Sequence, residues 1–171
     1  AGVSAQYSEQ LYLYSPTGGY LDHHAIERIV PGNWVDVSYT AFGKKECRYL
    51  IPNEFELNPD VVPLDSHPGA VCMGGYGEAG LAGCEFFFPL RDCPDHKGIY
   101  PVFGRVLEGM DELYRLEKVE TVPVTDFPIE GVEVNRPVKP EIIERVELEL
   151  HGEIYPEPVR VREPELPECW K

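Results

Sequence analysis

Prolines and glycines occur throughout this chain, and they limit the length of any helix or strand that it can form. The sequence has 17 prolines and 16 glycines in 171 residues. Both residue types interrupt helices and the middle of strands. The chain is therefore expected to fold as many short elements joined by turns.

Short apolar runs bounded by turn residues predict where the strands lie. Residues 70–73, 85–88 and 102–106 are such runs, and each is expected to be a buried strand. Residues 34–37 alternate apolar and polar side chains after a Pro-Gly turn, which predicts another strand. Residues 142–150 end in strict alternation, which is typical of a half-exposed strand.

Two helices are predicted among these strands. Residues 109–120 carry apolar side chains at helical spacing, and Ser4 is expected to cap a shorter helix near the start of the chain. Many short strands with two helices favour a mainly β fold, a closed antiparallel β-barrel with two plugging helices. The barrel domain is expected to cover residues 1–150, and residues 151–171 are expected to form an acidic, Pro-rich extended segment.

The charge balance excludes several classes of partner. Lys plus Arg number 15 and Asp plus Glu number 30, so 15 − 30 gives a formal net charge of −15. Binding to phosphates depends on Lys and Arg, so neither nucleic acid nor an anionic membrane surface is an expected partner. No apolar run approaches the roughly 18 to 20 residues that a membrane helix needs.

The cysteines predict a reducing compartment. The sequence has five, and they are Cys47, Cys72, Cys84, Cys93 and Cys169. They form no C-x-x-C pair, so no structural zinc is expected. An odd, irregularly spaced set is typical of reduced thiols, which predicts a cytoplasmic protein. A reactive nucleophile at Cys72 or Cys84 is the alternative, but a small buried apolar role is favoured for both.

Several stretches of the sequence, taken together, resemble the cyclophilins. Residues 26–32 are similar to that family's Phe-His-Arg-Val-Ile-Pro-Gly motif. Residues 68–73 and 83–87 are similar to its Pro-Gly-x-Leu-Ser-Met and Gly-Ser-Gln-Phe-Phe motifs. Residues 102–111 read Val-Phe-Gly-Arg-Val-Leu-Glu-Gly-Met-Asp, which nearly matches a further motif of the family.

The order and spacing of these stretches also agree with the family. Residues 51–55 and 136–140 fall where similar segments occur in bacterial cyclophilins, and residues 153–158 look like a bacterial ending. The resemblance runs over residues 20–158, and it identifies the chain as a divergent bacterial member.

The resemblance implies peptidyl-prolyl cis-trans isomerase (rotamase) activity on protein clients, without a metal or another cofactor. The X-Pro bond has a rotation barrier of roughly 18 to 20 kcal/mol, because resonance makes it partly double. In the twisted transition state the proline nitrogen gains a basic lone pair, and a hydrogen bond to that lone pair lowers the barrier. Arg28 stands at the family's donor position. An ordinary surface ion pair is the alternative role for this arginine.

The resemblance also assigns the positions that contact the substrate. Phe87 matches the phenylalanine that lies under the proline ring. The full set of expected substrate-binding residues is Glu27, Asn33, Trp34, Asp36, Met73, Gly74, Gly75, Glu85, Phe87, His96 and Tyr100.

Many of these positions depart from the family's residues. Acidic side chains replace neutral or basic ones at Glu27 (family His), Asp36 (Gln) and Glu85 (Gln). Asn33 replaces Phe and removes apolar area that contributes about 1 to 3 kcal/mol to proline binding. The remaining changes are Trp34 for Met, Gly74-Gly75 for Ala-Asn, and Asp95-His96 and Tyr100 for the family's Trp-Leu and His.

These departures predict weak activity, or a shift toward peptides with basic residues beside the proline. A guanidinium held by carboxylates is less able to serve the proline nitrogen. Binding of the cyclic peptide inhibitor that names the family is expected to weaken too. The alternatives are a module that binds Pro-containing or basic segments without turnover, and a scaffold that acts through assembly.

The start of the chain motivates the scaffold alternative. Family members usually open with two strands before the first helix, whereas this sequence begins near the expected helix. A barrel without those strands has open edges. Three alternatives are open: the strands were lost by processing or truncation, another polypeptide supplies them, or the part of the chain after residue 150 substitutes for them. Completion of the sheet by a partner segment is the hypothesis favoured here.

Overall fold

The computed structural model describes residues 21–37, 44–58, 60–75, 80–125, 131–149, 151–152, 154 and 158–164. Within these ranges the chain is mainly β, as its short apolar runs predict, and its elements are short, as its prolines and glycines predict. The strands are β1 (His24–Ala25), β2 (Arg28–Val30), β3 (Trp34–Asp36), β4 (Ile51–Pro52), β5 (Ala70–Met73), β6 (Leu81–Ala82), β7 (Phe86–Pro89), β8 (Val102–Arg105), β9 (Thr121–Pro123), β10 (Asn135–Pro137) and β11 (Ile142–Ile143). The α-helices are α1 (Glu54–Leu57) and α2 (Met110–Leu116), and single 3-10 turns lie at Lys45–Cys47 and Pro94–His96.

The principal sheet is antiparallel and has seven strands in the order β8-β5-β7-β3-β2-β10-β9. Separate pairs join β1 to β11 and β4 to β6. The strands predicted at residues 70–73, 85–88 and 102–106 are β5, β7 and β8, each within one residue of its predicted bounds. Within the described ranges no pairing links β8 to β9, so closure into a barrel stays a prediction.

The β2–β3 hairpin shows how the sequence sets the register of the sheet. Its short loop contains Gly32 at a φ of 72°, a left-handed conformation that glycine adopts without strain. The pairing places Arg28 opposite Asp36 and Ile29 opposite Val35. Since side chains alternate between the two faces of a strand, Arg28 and Asp36 share one face while Ile29 and Val35 enter the core on the other.

Helix α2 covers only part of the predicted segment at residues 109–120. It starts after Gly109, whose φ is 87°, and it buries Leu113 and Leu116 against the inner side of β2 and β3. The amide of Lys118 then donates to the carbonyl of Arg115 at 3.0 Å, a tighter turn that ends the α-helix. The helix predicted to start at Ser4 lies outside the described residues. No helix in the described part of the chain is long and apolar enough to span a membrane.

The strand predicted at residues 142–150 is shorter than expected. Only β11 pairs, because its partner β1 is equally short. The amide of Val146 then donates to the Asp22 side chain at 2.8 Å instead of to a neighbouring strand. A hydrogen bond to a side chain 124 positions away has replaced the expected strand ladder there.

Part of the acidic C-terminal segment lies against the body of the protein. The amide of Leu50 donates to the carbonyl of Arg162, and the amide of Val161 donates to the carbonyl of Leu50, both at 2.8 Å. The guanidinium carbon of Arg160 lies 4.3 Å from the ring centroid of Tyr49. The division of the chain at residue 150 into a barrel and a tail stays a prediction.

Candidate active site

A row of paired residues crosses the face of the sheet opposite to the one that packs against α2. Arg28 on β2 pairs with Asp36 on β3, Asp36 pairs with Phe87 on β7, and Phe87 pairs with Cys72 on β5. We call these residues the cross-strand row. Neighbouring strands are about 4.8 Å apart, so the backbones of Arg28 and Phe87 are about 10 Å apart. The Arg28 and Phe87 side chains therefore extend from the same face of the sheet with one strand between them.

The guanidinium of Arg28 is held from two sides. Its NH1 atom donates to Asp36 Oδ2 at 3.0 Å, and its Nε atom donates to the backbone carbonyl of Glu133 at 2.9 Å. Its central carbon lies 5.6 Å from the ring centroid of Trp34. The Arg28 side chain is 13% exposed and the Asp36 side chain 1% exposed, so this ion pair is largely removed from water. Such a pair is more rigid than an exposed one and less screened by salt.

Aromatic rings surround Phe87 in the middle of the cross-strand row. The ring centroids of His96 and Tyr100 both lie 5.6 Å from that of Phe87, each nearly perpendicular to it. Trp34 lies 6.1 Å from Phe87 and 5.6 Å from His96. Phe87 is only 5% exposed, whereas Trp34 and Tyr100 are half-buried. Phe87 is therefore the floor of an aromatic cluster, and the two half-buried rings offer its accessible surface.

Asn33 brings a polar contact to the edge of this cluster. Its Oδ1 atom accepts a hydrogen bond from Arg91 Nε at 2.7 Å. The NH1 atom of Arg91 also donates to the carbonyl of Asp92 at 2.8 Å. A guanidinium and an amide thus occupy the place where the resembling family has a phenylalanine.

Glu85 and Gly74 are packed directly against each other beside the cross-strand row. The amide of Gly74 donates to the carbonyl of Glu85 at 2.8 Å. A Cβ atom added at Gly74 would overlap the side chain of Glu85. Glu85 is buried, and its side chain occupies the space that a side chain at residue 74 would need. Gly75 is buried next to this pair.

Two residues expected at the site lie elsewhere in the described structure. Met73 pairs with Phe86 and packs into the core near Tyr49, because strand alternation turns it to the face opposite Cys72. Glu27 places its Oε1 atom 3.7 Å from Nε of Arg136. Of the three positions that became acidic, Asp36 contacts Arg28 directly, while Glu27 pairs with another arginine.

The comparison with family models agrees with this geometry. The model described as "Cyclophilin type peptidyl-prolyl cis-trans isomerase/CLD" matches residues 9–156. The chain belongs to the cyclophilin family. The expected family is confirmed, and whether the chain is bacterial stays a prediction.

Curated cyclophilin relatives and a solved structure support the same conclusion. A peptidyl-prolyl cis-trans isomerase of Arabidopsis thaliana is 34% identical over 123 residues, which cover 69% of this chain and 71% of that protein. The human peptidylprolyl isomerase domain and WD repeat-containing protein 1 is 29% identical over 119 residues, and the chain spans only 18% of its length. The crystal structure of a Cryptosporidium parvum cyclophilin type isomerase has a TM-score of 0.60 at 18% identity, and the match covers 82% of this chain and 81% of that one. That likeness establishes the cyclophilin fold.

Burial and charge set the protonation of the rings in this cyclophilin site. Burial raises the pKa of the Tyr100 hydroxyl, and the carboxylate of Glu85 raises it further, while Arg28 opposes both. Burial lowers the pKa of His96, and Asp95 opposes that effect. Both rings are consequently neutral near pH 7.

Sequence reasoning missed three contributors to the site. Glu133 contacts Arg28 through its backbone carbonyl, and a pattern of side chains cannot predict such a contact. Arg91 lies 58 positions from Asn33, and Ser66 lies 30 positions from His96. Nothing in the local sequence marks either contact.

Proposed function

We propose that this chain catalyses rotation about X-Pro peptide bonds, with Arg28 as the hydrogen-bond donor to the proline nitrogen. The observation that carries the proposal is the cross-strand row, which holds the Arg28 guanidinium beside Trp34 and on the same face as Phe87. A charged donor acts more strongly on the twisted amide, whose nitrogen has a free lone pair, than on the planar one. Arginine suits this role because it stays charged and its fork is rigid.

The proline ring would bind among the aromatic side chains. Trp34 and Tyr100 would supply its accessible walls, and Phe87 and His96 would lie beneath and beside it. Because Phe87 is 5% exposed, a proline that stacks on it must displace part of a neighbouring ring. The proposed pocket is therefore shallow, and weak binding is expected.

The remaining substrate contacts follow from the same geometry. Asn33 would border the pocket, and Gly74 and Gly75 would offer backbone groups to an extended peptide. Glu27 and Met73 are left out of the proposed site, since their side chains contact Arg136 and the core.

The preferred clients would be Pro-containing segments with Lys or Arg beside the proline. Buried Asp36 and Glu85 and exposed Asp95 all lie near the rings of the cluster. The whole chain carries a net charge of −15, which attracts basic segments and repels acidic ones. This preference would disappear at high salt, because exposed charges are screened.

A binding module without useful turnover is the second candidate function. The contacts of Arg28 to Asp36 and to Glu133 favour it, because N–H groups of Arg28 that are already hydrogen-bonded are less available to the proline nitrogen. The two candidates share the same surface and differ only in whether Arg28 reaches the proline nitrogen.

A protease-coupled isomerisation assay on Lys-Pro, Ala-Pro and Glu-Pro peptides separates them. The proposal expects acceleration in the order Lys-Pro, Ala-Pro, Glu-Pro, which Arg28→Ala removes while peptide binding persists. Measurable binding without acceleration by the unmodified chain would establish the module instead.

Two finer features of the fold belong to the same proposal. Closure of the sheet into the cyclophilin barrel is supported by the likeness to a solved cyclophilin. Completion of the sheet by a partner segment stays a prediction, and a folded, monomeric species in native mass spectrometry would contradict it. A cytoplasmic location likewise stays a prediction from the cysteines.

A further inference from the structure

A chain of buried polar side chains lies behind Phe87, at the end of the cross-strand row that is opposite to Arg28. The hydroxyl oxygen of Ser66 lies 3.4 Å from the sulfur of Cys72 and 3.5 Å from Nδ1 of His96. Ser66 is 3% exposed, Cys72 is fully buried, and His96 is 7% exposed. Buried polar groups need partners, and here the serine hydroxyl links a thiol to an imidazole.

The protonation states of Cys72 and His96 determine which groups donate and which accept in the hydrogen bonds through Ser66. Burial raises the pKa of Cys72 to about 11, so its thiol keeps its proton near pH 7. Burial lowers the pKa of His96, so its imidazole is neutral and has one unprotonated nitrogen. The thiol can therefore donate to Ser66, and the serine hydroxyl can donate to Nδ1, which leaves the ring proton of His96 on Nε2.

Of the three hydrogen-bonded side chains, that of His96 contacts the aromatic cluster. Its ring centroid lies 4.9 Å from Tyr100, 5.6 Å from Phe87 and 5.6 Å from Trp34. Every ring of the proposed proline pocket thus touches the imidazole. A rotation of His96 would change the shape of that pocket.

Ser66 also joins the two loops that carry these side chains. Its carbonyl accepts the amide of Cys93 at 2.9 Å, one turn before His96. The carbonyl of His96 accepts the amides of Ile99 and Tyr100 at 2.9 and 3.0 Å. Ser66 therefore fixes the loop through its backbone and the imidazole through its hydroxyl.

We propose that Ser66 is a positioning residue for proline binding, which holds the imidazole of His96 in the orientation that shapes the proline pocket. The inference rests on the proposed function, because it assumes that the aromatic cluster receives the proline. It assigns Ser66 an effect on binding and none on the donor step at Arg28.

The test is a double-mutant cycle of Ser66→Ala and His96→Phe on kcat and KM with a Lys-Pro peptide. His96→Phe keeps a ring of similar size and removes Nδ1. Ser66→Ala is expected to raise KM about three- to tenfold and to leave kcat within about twofold, as for loss of one hydrogen bond that acts on binding. In the His96→Phe background the same change is expected to have less than about twofold effect.

Asp65→Asn is the matched control for this cycle. It removes the exposed contact between Asp65 and Lys97, which joins the same two loops at the surface. KM is expected to stay unchanged in this variant. If Ser66→Ala does not fold, Ser66→Cys replaces it in the cycle. Cysteine keeps the shape of the side chain and is a weaker hydrogen-bond donor.

Imidazole nitrogen spectra of the ligand-free protein give a readout that a purely structural role would not move. The Nε2-protonated tautomer of His96 is expected in the unmodified chain and a mixture of tautomers in Ser66→Ala. An unchanged tautomer, or an equal rise in KM with and without His96, would overturn the inference while turnover and its dependence on Arg28 persist. Loss of both turnover and peptide binding in the unmodified chain would overturn the proposed function and this inference together.

Discussion

Arg28 and Phe87 lie on the same face of the sheet with only strand β3 between them, and Asp36 occupies the paired position in the middle. The carboxylate that orients Arg28 is therefore part of the site itself. At 3.0 Å and 1% exposure, this carboxylate forms a charge-assisted hydrogen bond with the guanidinium. We therefore expect this contact to restrain Arg28 and to slow turnover.

Replacing Asp36 with Gln is expected to raise kcat about two- to tenfold, because a neutral acceptor competes less for the guanidinium than a carboxylate does. The measurement is kcat on a Lys-Pro peptide. Glu27→Gln is the control, since it also neutralises a carboxylate, one residue from Arg28, but on a side chain that faces Arg136. A fall in kcat for Asp36→Gln would show that the carboxylate helps the arginine and does not restrain it.

Adding Asn33→Phe to Asp36→Gln is expected to lower KM roughly fivefold or more, because the new ring restores apolar area worth at least about 1 kcal/mol. The change also breaks the 2.7 Å contact between Asn33 and Arg91. Arg91→Ala alone therefore serves as the control for loss of that contact. Equal KM values with and without the added phenyl ring would mean that proline does not bind beside position 33.

Replacing Gly74 with Ala is expected to destabilise the fold by about 1 to 3 kcal/mol, because the new Cβ would overlap the buried side chain of Glu85. Gly104→Ala is the control, since its Cβ would meet Val71 at an ordinary 3.5 Å. The free energy of unfolding in urea measures both. Glu85→Ala should recover most of the loss in the double variant, and an additive loss would show that the two positions are not coupled.

Stability is expected to depend on pH through His24. Burial, together with the nearby positive charge of Lys44, lowers the pKa of His24 from 6.5 to about 4. The unfolded chain binds this proton more readily, so the free energy of unfolding should be highest above pH 6.5 and should fall as the pH drops toward 4. The slope from one such group is at most about 1.4 kcal/mol per pH unit.

Urea titrations between pH 7 and pH 4 measure that slope. His24→Gln should reduce it by nearly one proton. The control is His23→Asn, which changes the exposed neighbour at a φ of 57° that Asn tolerates. Equal slopes for the unmodified chain and His24→Gln would contradict the assignment.

The sequence was sufficient to predict the part of the site that depends on local pattern. The Pro-Gly turn and the alternation after it predict β3, and the structure adds the pairing with β2 that sets Arg28 opposite Asp36. The glycine-bounded apolar runs predict β5, β7 and β8 for the same reason. Alternation within β5 could also have placed Met73 in the core once Cys72 was assigned to the site.

Contacts between distant segments could not be predicted in this way. Arg28 Nε donates to the carbonyl of Glu133, which is 105 positions away. Every residue has a backbone carbonyl, so the residue type at position 133 does not indicate this contact. Helix α2 stops at Leu116 because its last turn tightens, although apolar spacing continues to Val119. Glu27 pairs with Arg136 because β10 lies next to β2, a neighbour relation set by the whole sheet.

The central claim is that Arg28 lowers the barrier to X-Pro rotation, and kcat/KM for Arg28→Ala tests it most directly. Arg136→Ala is the matched control, because it removes another arginine near Glu27 on the strand beside β2. The account predicts a loss of about 100-fold for Arg28→Ala, the size expected for one lost transition-state donor, with Arg136→Ala close to the unmodified chain. A kcat/KM for Arg28→Ala within twofold of the unmodified chain would contradict it.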